Sequence, residues 1–240
     1  MTSRFLTKAS HKRYNLSMKT FVLFLIMSIK AQAASPVIVA VIDTGYSIQD
    51  ESLPFCKFGH ATFAGNDVKD RLGHGTNIAH IINAQVKSLP KGSWCMVVIK
   101  FFDKDTSSDE ALSNSVKALR WIKKLNVDIV NLSYEGGFSS NAEKAAVKAL
   151  LDKGIKVVAA AGNRNTKPGF PASADKRVIV VGNLQKDGSR HPTSNFGDSV
   201  NRWEVGTDVC AGGSCMTGTS QATAIVTGKI LKKMIERKSK

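Results

Sequence analysis

The sequence is poor in aromatic residues, which make up 7% of its 240 positions. No hydrophobic run approaches the ~20 residues that a bilayer-spanning helix needs. The apolar stretch Phe21–Ile29 is far too short to span a bilayer, so no stable membrane anchor is expected. Basic stripes interleaved with aromatics are absent as well, which argues against nucleic acid as a partner despite a formal net charge of +15. Internal repeats, low-complexity stretches and any sign of a second domain are missing, and one folded domain is expected. Acids are absent from residues 1–33, which hold six basic residues: Arg4, Lys8, Lys12, Arg13, Lys19 and Lys30. Setting that segment aside leaves 28 basic against 19 acidic residues. The remaining excess collects in the C-terminal KILKKMIERKSK, read as a solvated helix end.

What is present is a globular composition, 42% hydrophobic and 22% charged. The basic N-terminus, the run Phe21–Ile29 and the small-residue pattern Ala31-Gln32-Ala33 predict a signal peptide over residues 1–33, with Met18 as an alternative start. Residues 34–240 form the folded domain, and a secreted or periplasmic protein is expected. Export permits disulfides. The four cysteines Cys56, Cys95, Cys210 and Cys215 allow three pairings. Cys56–Cys95 with Cys210–Cys215 is favoured; free buried thiols are the alternative.

From Ser35 onward, continuous apolar runs of strand length alternate with helix-period segments. Strands are expected at 36–42, 96–102, 127–132, 155–161 and 178–181. Ile78, Ile81, Ile82 and Val86 follow helical spacing and put His74 at a helix start. Ser107 with Glu110 forms a capping box for a helix with Leu112, Val116, Leu119 and Ile122 inward. Ser140 with Glu143 opens another, with Ala142, Ala145, Ala146, Ala149 and Leu150 as its inner stripe and Gly154 as its stop. A last helix starts near Ser220 and turns Ala222, Ile225, Val226 and Ile230 inward. Such alternation predicts an α/β domain with a parallel sheet covered on both faces.

Four segments carry chemistry. Asp43 ends the strand-like VAVIDTG, His74 lies between glycines in GHGTNIAH, and Ser220 opens a helix in MTGTSQAT. Acid, base, nucleophile is one of the chain orders of the Ser-His-Asp triad. Serine needs a base to take its proton, and an imidazole needs a carboxylate to fix its tautomer. In VVAAAGN, Asn163 offers an amide to a developing oxyanion. Singly, these residues read as a turn cap, a surface histidine, a helix N-cap and a turn former. The context TGTSQA lacks the Gly-x-Ser-x-Gly elbow of another hydrolase class.

With IVNLS, FPAS followed by VIVVG, SNFG and GTSQATAIVTG, these segments resemble the subtilisin-like serine proteases (subtilases) over essentially all of residues 35–235. The resemblance implies a doubly wound, mostly parallel sheet with helices on both faces. It implies an exported serine endopeptidase acting through an acyl-enzyme on Ser220, with His74 as general base and acid, Asp43 orienting it, and Asn163 in the oxyanion hole. Ser133 matches the start of the family's substrate-binding strand, so Ser133, Tyr134, Glu135 and Gly136 are expected to line the polypeptide substrate. No cofactor is expected, and no metal: the Asn-rich insertion that holds calcium in many relatives is lacking after the His74 helix. A monomer is expected.

The chain departs from the family in three places. Glu135 interrupts the usual Ser-x-Gly-Gly and could favour basic substrate side chains or point away into solvent. Ala224 stands where the family has proline after the nucleophile. No prodomain is evident, so a separate inhibitor or folding chaperone is a candidate partner. The alternative to an active protease is a catalytically silent binding or regulatory protein on the same scaffold.

Overall fold

A computed structural model describes residues 35–49, 52–136 and 140–239. The expected signal peptide lies outside the described residues. Among them, a seven-stranded parallel sheet runs in the order β2-β3-β1-β4-β5-β6-β7. Its strands are β1 (Val37–Asp43), β2 (Ala61–Thr62), β3 (Trp94–Lys100), β4 (Ile129–Leu132), β5 (Lys156–Ala160), β6 (Ile179–Leu184) and β7 (Arg202–Val205). The helices are α1 (His74–Val86), α2 (Ser108–Ile122), α3 (Asn141–Asp152) and α4 (Thr219–Lys238). A small antiparallel hairpin, β8 (Val209–Ala211) with β9 (Ser214–Met216), precedes α4.

The central strands are apolar throughout because both of their faces are covered. In β1, Ala40 and Ile42 join a core with Leu119 and Ile122 of α2 and Val147 and Leu150 of α3. Val39 and Val41 point the other way, to Ile78 and Ile82 of α1 and Ala222 and Leu231 of α4. The chain leaves β1 to build β2 and β3 on one side, then crosses through α2 to β4 on the other. That reversal opens a crevice at the carboxyl ends of β1 and β4, where open α/β sheets bind ligands.

The capping box of α2 forms in both directions, between the Ser107 and Glu110 side chains and backbone. In α3 the structure corrects the expected inner stripe. Ser140 Oγ accepts from Glu143 N, but the buried face is Glu143, Ala146, Val147 and Leu150, and Ala142 and Ala145 are exposed. The larger side chains at 147 and 150 gain more from burial than methyl groups do, so they set the rotation of the helix. Both favoured disulfides, Cys56–Cys95 and Cys210–Cys215, are present.

Candidate active site

Asp43 is the last residue of β1 and is 2% exposed. Its Oδ1 accepts from Thr44 N at 2.8 Å and meets His74 Nδ1 at 2.7 Å. A carboxylate acceptor requires the proton on Nδ1, which leaves Nε2 as the free base. Asp43 Oδ2 is buried without a partner. Burial alone would hold the His74 ring neutral. Attraction and hydrogen bonding to Asp43, with a contribution from Asp70, outweigh this and raise its pKa.

The glycines beside His74 answer two constraints. Gly73, the N-cap of α1, has φ +79°, in the left-handed region that favours glycine. A Cβ on Gly75 would stand 2.2 Å from the Gly45 carbonyl oxygen, so only glycine lets α1 approach the end of β1 so closely.

Ser220 is the second residue of α4 and is 8% exposed. Its Oγ donates to the Ser133 carbonyl at 2.8 Å, and Ser133 Oγ donates back to the Ser220 carbonyl at 3.1 Å. These reciprocal bonds fasten the start of α4 to the end of β4. Among the described residues, Ser220 makes no hydrogen bond to His74, so the structure joins acid to base but not base to hydroxyl.

Asn163 follows β5 through Gly162. Its Oδ1 accepts from Thr219 N at 2.9 Å and Thr219 Oγ1 at 3.1 Å. With the oxygen so engaged, the Nδ2 amide must face away from Thr219, free to donate. The Ser220 backbone N–H, in the first turn of α4, is likewise a donor that the helix leaves unused.

Of the expected substrate-lining residues, Ser133 is tied to Ser220, and Tyr134 packs its ring on Phe101 with centroids 4.3 Å apart. Gly136 N donates to the Phe170 carbonyl at 2.8 Å, so that amide is already engaged. Glu135 folds over Gly162 and Gly169. Its Oε1 accepts from Asn195 Nδ2 at 2.9 Å, and its Oε2 lies 3.4 Å from Arg164 Nε. A Cβ on Gly162 would come within 2.5 Å of this carboxylate. Asp43, His74, Ser133, Tyr134, Glu135 and Arg164 all line one cavity of about 480 Å³.

Sequence reasoning missed two supporting residues. Asp70 accepts from Leu72 N, Gly73 N, Thr76 N, Thr76 Oγ1 and Thr44 Oγ1 at 2.7–3.0 Å, capping the helix that begins with His74. Burial would raise its pKa, but these donors lower it. The signal was an aspartate just before a helix start, masked because the cap acts from a loop rather than from the N-cap position. Lys100 is fully buried at the end of β3 and donates to Lys69 O at 2.7 Å and Asp103 Oδ2 at 2.6 Å, anchoring the loop that carries Asp70. Its position in an apolar strand hid it. No group of three or more His, Cys, Asp and Glu converges as a metal site among the described residues, and none of their helices is long and apolar enough to cross a membrane.

A profile described as the subtilase family matches residues 34–237. Alkaline protease 1 of Aspergillus flavus is 29% identical over 197 residues, covering 78% of this chain and 47% of that protein. Subtilisin-like protease 6 of Trichophyton rubrum is 32% identical over 216 residues, covering 82% and 51%. The chain thus spans about half the length of the curated relatives it matches. Among solved structures, a cold-adapted subtilisin-like serine proteinase is similar at 25% identity and TM-score 0.69, over 83% of this chain and 76% of that one. A lanthipeptide protease shares the fold, at 21% identity and TM-score 0.72, over 85% and 74%.

Proposed function

The chain belongs to the subtilase family, and on that footing we propose that it is a serine endopeptidase with Ser220 as nucleophile. The observation that carries the proposal is the 2.7 Å contact between Asp43 and His74 Nδ1, which leaves Nε2 free as a base in a cleft also lined by Ser133, the residue to which Ser220 is hydrogen-bonded. Rotation about the Ser220 Cα–Cβ bond would release its hydroxyl from the Ser133 carbonyl. His74 Nε2 would then take the proton as Oγ bonds to the peptide carbonyl carbon. The negative oxygen of the tetrahedral adduct would be met by the Ser220 N–H and Asn163 Nδ2. Collapse breaks the C–N bond, with the His74 proton passing to the leaving amine. Water, deprotonated by the same imidazole, hydrolyses the acyl-enzyme. Ser133, Tyr134, Glu135 and Gly136 would form one wall for the substrate. Two disulfides fit an oxidising compartment and support export, and any separate inhibitor or chaperone would act on this cleft.

A fluorophosphonate probe tests the reading. Ser220 should label and casein should be degraded, with both lost in Ser220→Ala. A folded protein that neither labels nor cleaves would instead be a silent binding scaffold, the reading favoured by the Ser220 hydroxyl being held on Ser133.

A further inference from the structure

The cavity holds an acid for which the proposed reaction has no use. Glu143, in the first turn of α3, is turned into the domain and is 2% exposed. Its Oε1 accepts from Ser115 Oγ at 2.5 Å, and Ser115 Oγ is 2.7 Å from the Tyr134 hydroxyl. The hydroxyl proton of Ser115 goes to Glu143, so Tyr134 is the donor to Ser115. All three residues line the cavity wall. Glu143 Oε2 has no partner.

The other acids of that wall are matched, Asp43 by His74 and Glu135 by Asn195 and Arg164. Glu143 alone lacks a cation within ion-pair distance among the described residues. Burial raises its pKa, only partly offset by the Ser115 bond, so the carboxyl is held at a disadvantage in its charged form. Stability does not explain it, because a buried carboxyl with one oxygen unpaired destabilises a fold and an apolar side chain of similar size would not. The rest of the wall includes Leu72, Phe102, Ala111 and Leu112. Apolar walls with one carboxylate left unmatched complement a long aliphatic stem ending in a positive charge.

We infer that this cavity receives a lysine or arginine side chain of the polypeptide substrate, with its stem against Leu72, Phe102 and Leu112 and its charge on Glu143. The inference rests on the reading that the cleft binds polypeptides and adds a substrate class to it.

The test is binding to the Ser220→Ala protein, which needs no turnover. Octapeptides carrying one lysine at each position in turn are compared by calorimetry with the same peptides carrying norleucine, which keeps the stem and removes the charge. At one register lysine should bind about tenfold tighter, a difference of ~1.4 kcal/mol. Glu143→Gln keeps the shape and the acceptor for Ser115 and should bring the ratio to near one. Leu112→Arg, which supplies a cation from the chain itself, should do the same. The inference is overturned if no lysine peptide binds measurably, if norleucine binds as well at every position, or if the lysine preference survives Glu143→Gln. A wild-type protein that labels at Ser220 without that preference would lose this inference alone. One that never labels but shows Glu143-dependent lysine binding would lose only the protease reading.

Discussion

At the scale of the residue, the Asp43–His74 contact makes a prediction with a definite sign. A general base works as the neutral ring, so activity disappears as pH falls through the folded-state pKa of His74. Asp43 raises that value above the ~6.5 of a free imidazole, so the acid limb of kcat/KM should lie above pH 6.5. Asp43→Asn removes the carboxylate, should move the limb to lower pH, and should slow kcat by about 10⁴-fold. A pH profile of both proteins with one peptide substrate checks both effects. Asn163→Ala removes an amide whose oxygen is fixed by Thr219 and whose nitrogen is the group available to an oxyanion. It should lower kcat by about 10²–10³-fold with KM little changed. The residues behind these predictions were legible as types, a carboxylate after an apolar strand and a serine opening a helix. The orientation of the Ser220 hydroxyl toward Ser133 was not, because sequence pattern carries no rotamer.

At the scale of the element, the start of α1 depends on a group outside it. Five donors converge on Asp70, which places His74 through Thr76 and Thr44. Thr44 Oγ1 also accepts from Gly75 N at 2.9 Å. The Asp70 pKa is lowered on folding, so its contribution is present above the unfolded value near ~3.9 and lost as pH falls through the folded one. Asp70→Asn should therefore destabilise the protein by about 1–2 kcal/mol at neutral pH. The gap from wild type should shrink below about pH 4 in urea melts across pH. The mutant should also move the acid limb of activity slightly downward, since Asp70 helps to raise the His74 pKa. Helix α3 shows where element-scale reading stopped. An alanine stripe and an acid-bearing face compete there, and alanine periodicity is a weak guide to rotation because each methyl gains little on burial. Val147 and Leu150 decided the face and carried Glu143 inward with them. The capping box of α2 was legible because its two reciprocal bonds are local in sequence.

At the scale of the whole molecule, the legible strands were those buried on both sides, whose apolar runs stand out. β7 was not among them: it lies at the sheet edge, where Arg202 and Trp203 are exposed and no run exists. β2, with two residues, and the β8–β9 hairpin are too short to leave a pattern. The disulfides then act at different ranges. Cys56–Cys95 spans 39 residues and ties the segment before β2 to β3, whereas Cys210–Cys215 spans 5 and closes the hairpin. Loop-closure entropy gives about 4 kcal/mol for the longer link and about 2 kcal/mol for the shorter. For a domain of this size, Cys56→Ser with Cys95→Ser should lower Tm by roughly 10 °C, at about 2–4 °C per kcal/mol. Cys210→Ser with Cys215→Ser should lower it by about half as much. The hairpin pair has a second effect, however. Ala211 O and Ser214 O accept from Asn77 Nδ2 at 2.9 and 3.1 Å, and Gln221 Nε2 donates to Asn77 Oδ1 at 3.2 Å, which joins α1 to α4. Opening the hairpin loosens the register between the helix that begins with His74 and the helix that carries Ser220. Calorimetry and a peptidase assay on the two double mutants should thus rank them oppositely, the first losing more Tm and the second more kcat. The same order for both measurements would mean that the hairpin does not hold the two helices in register.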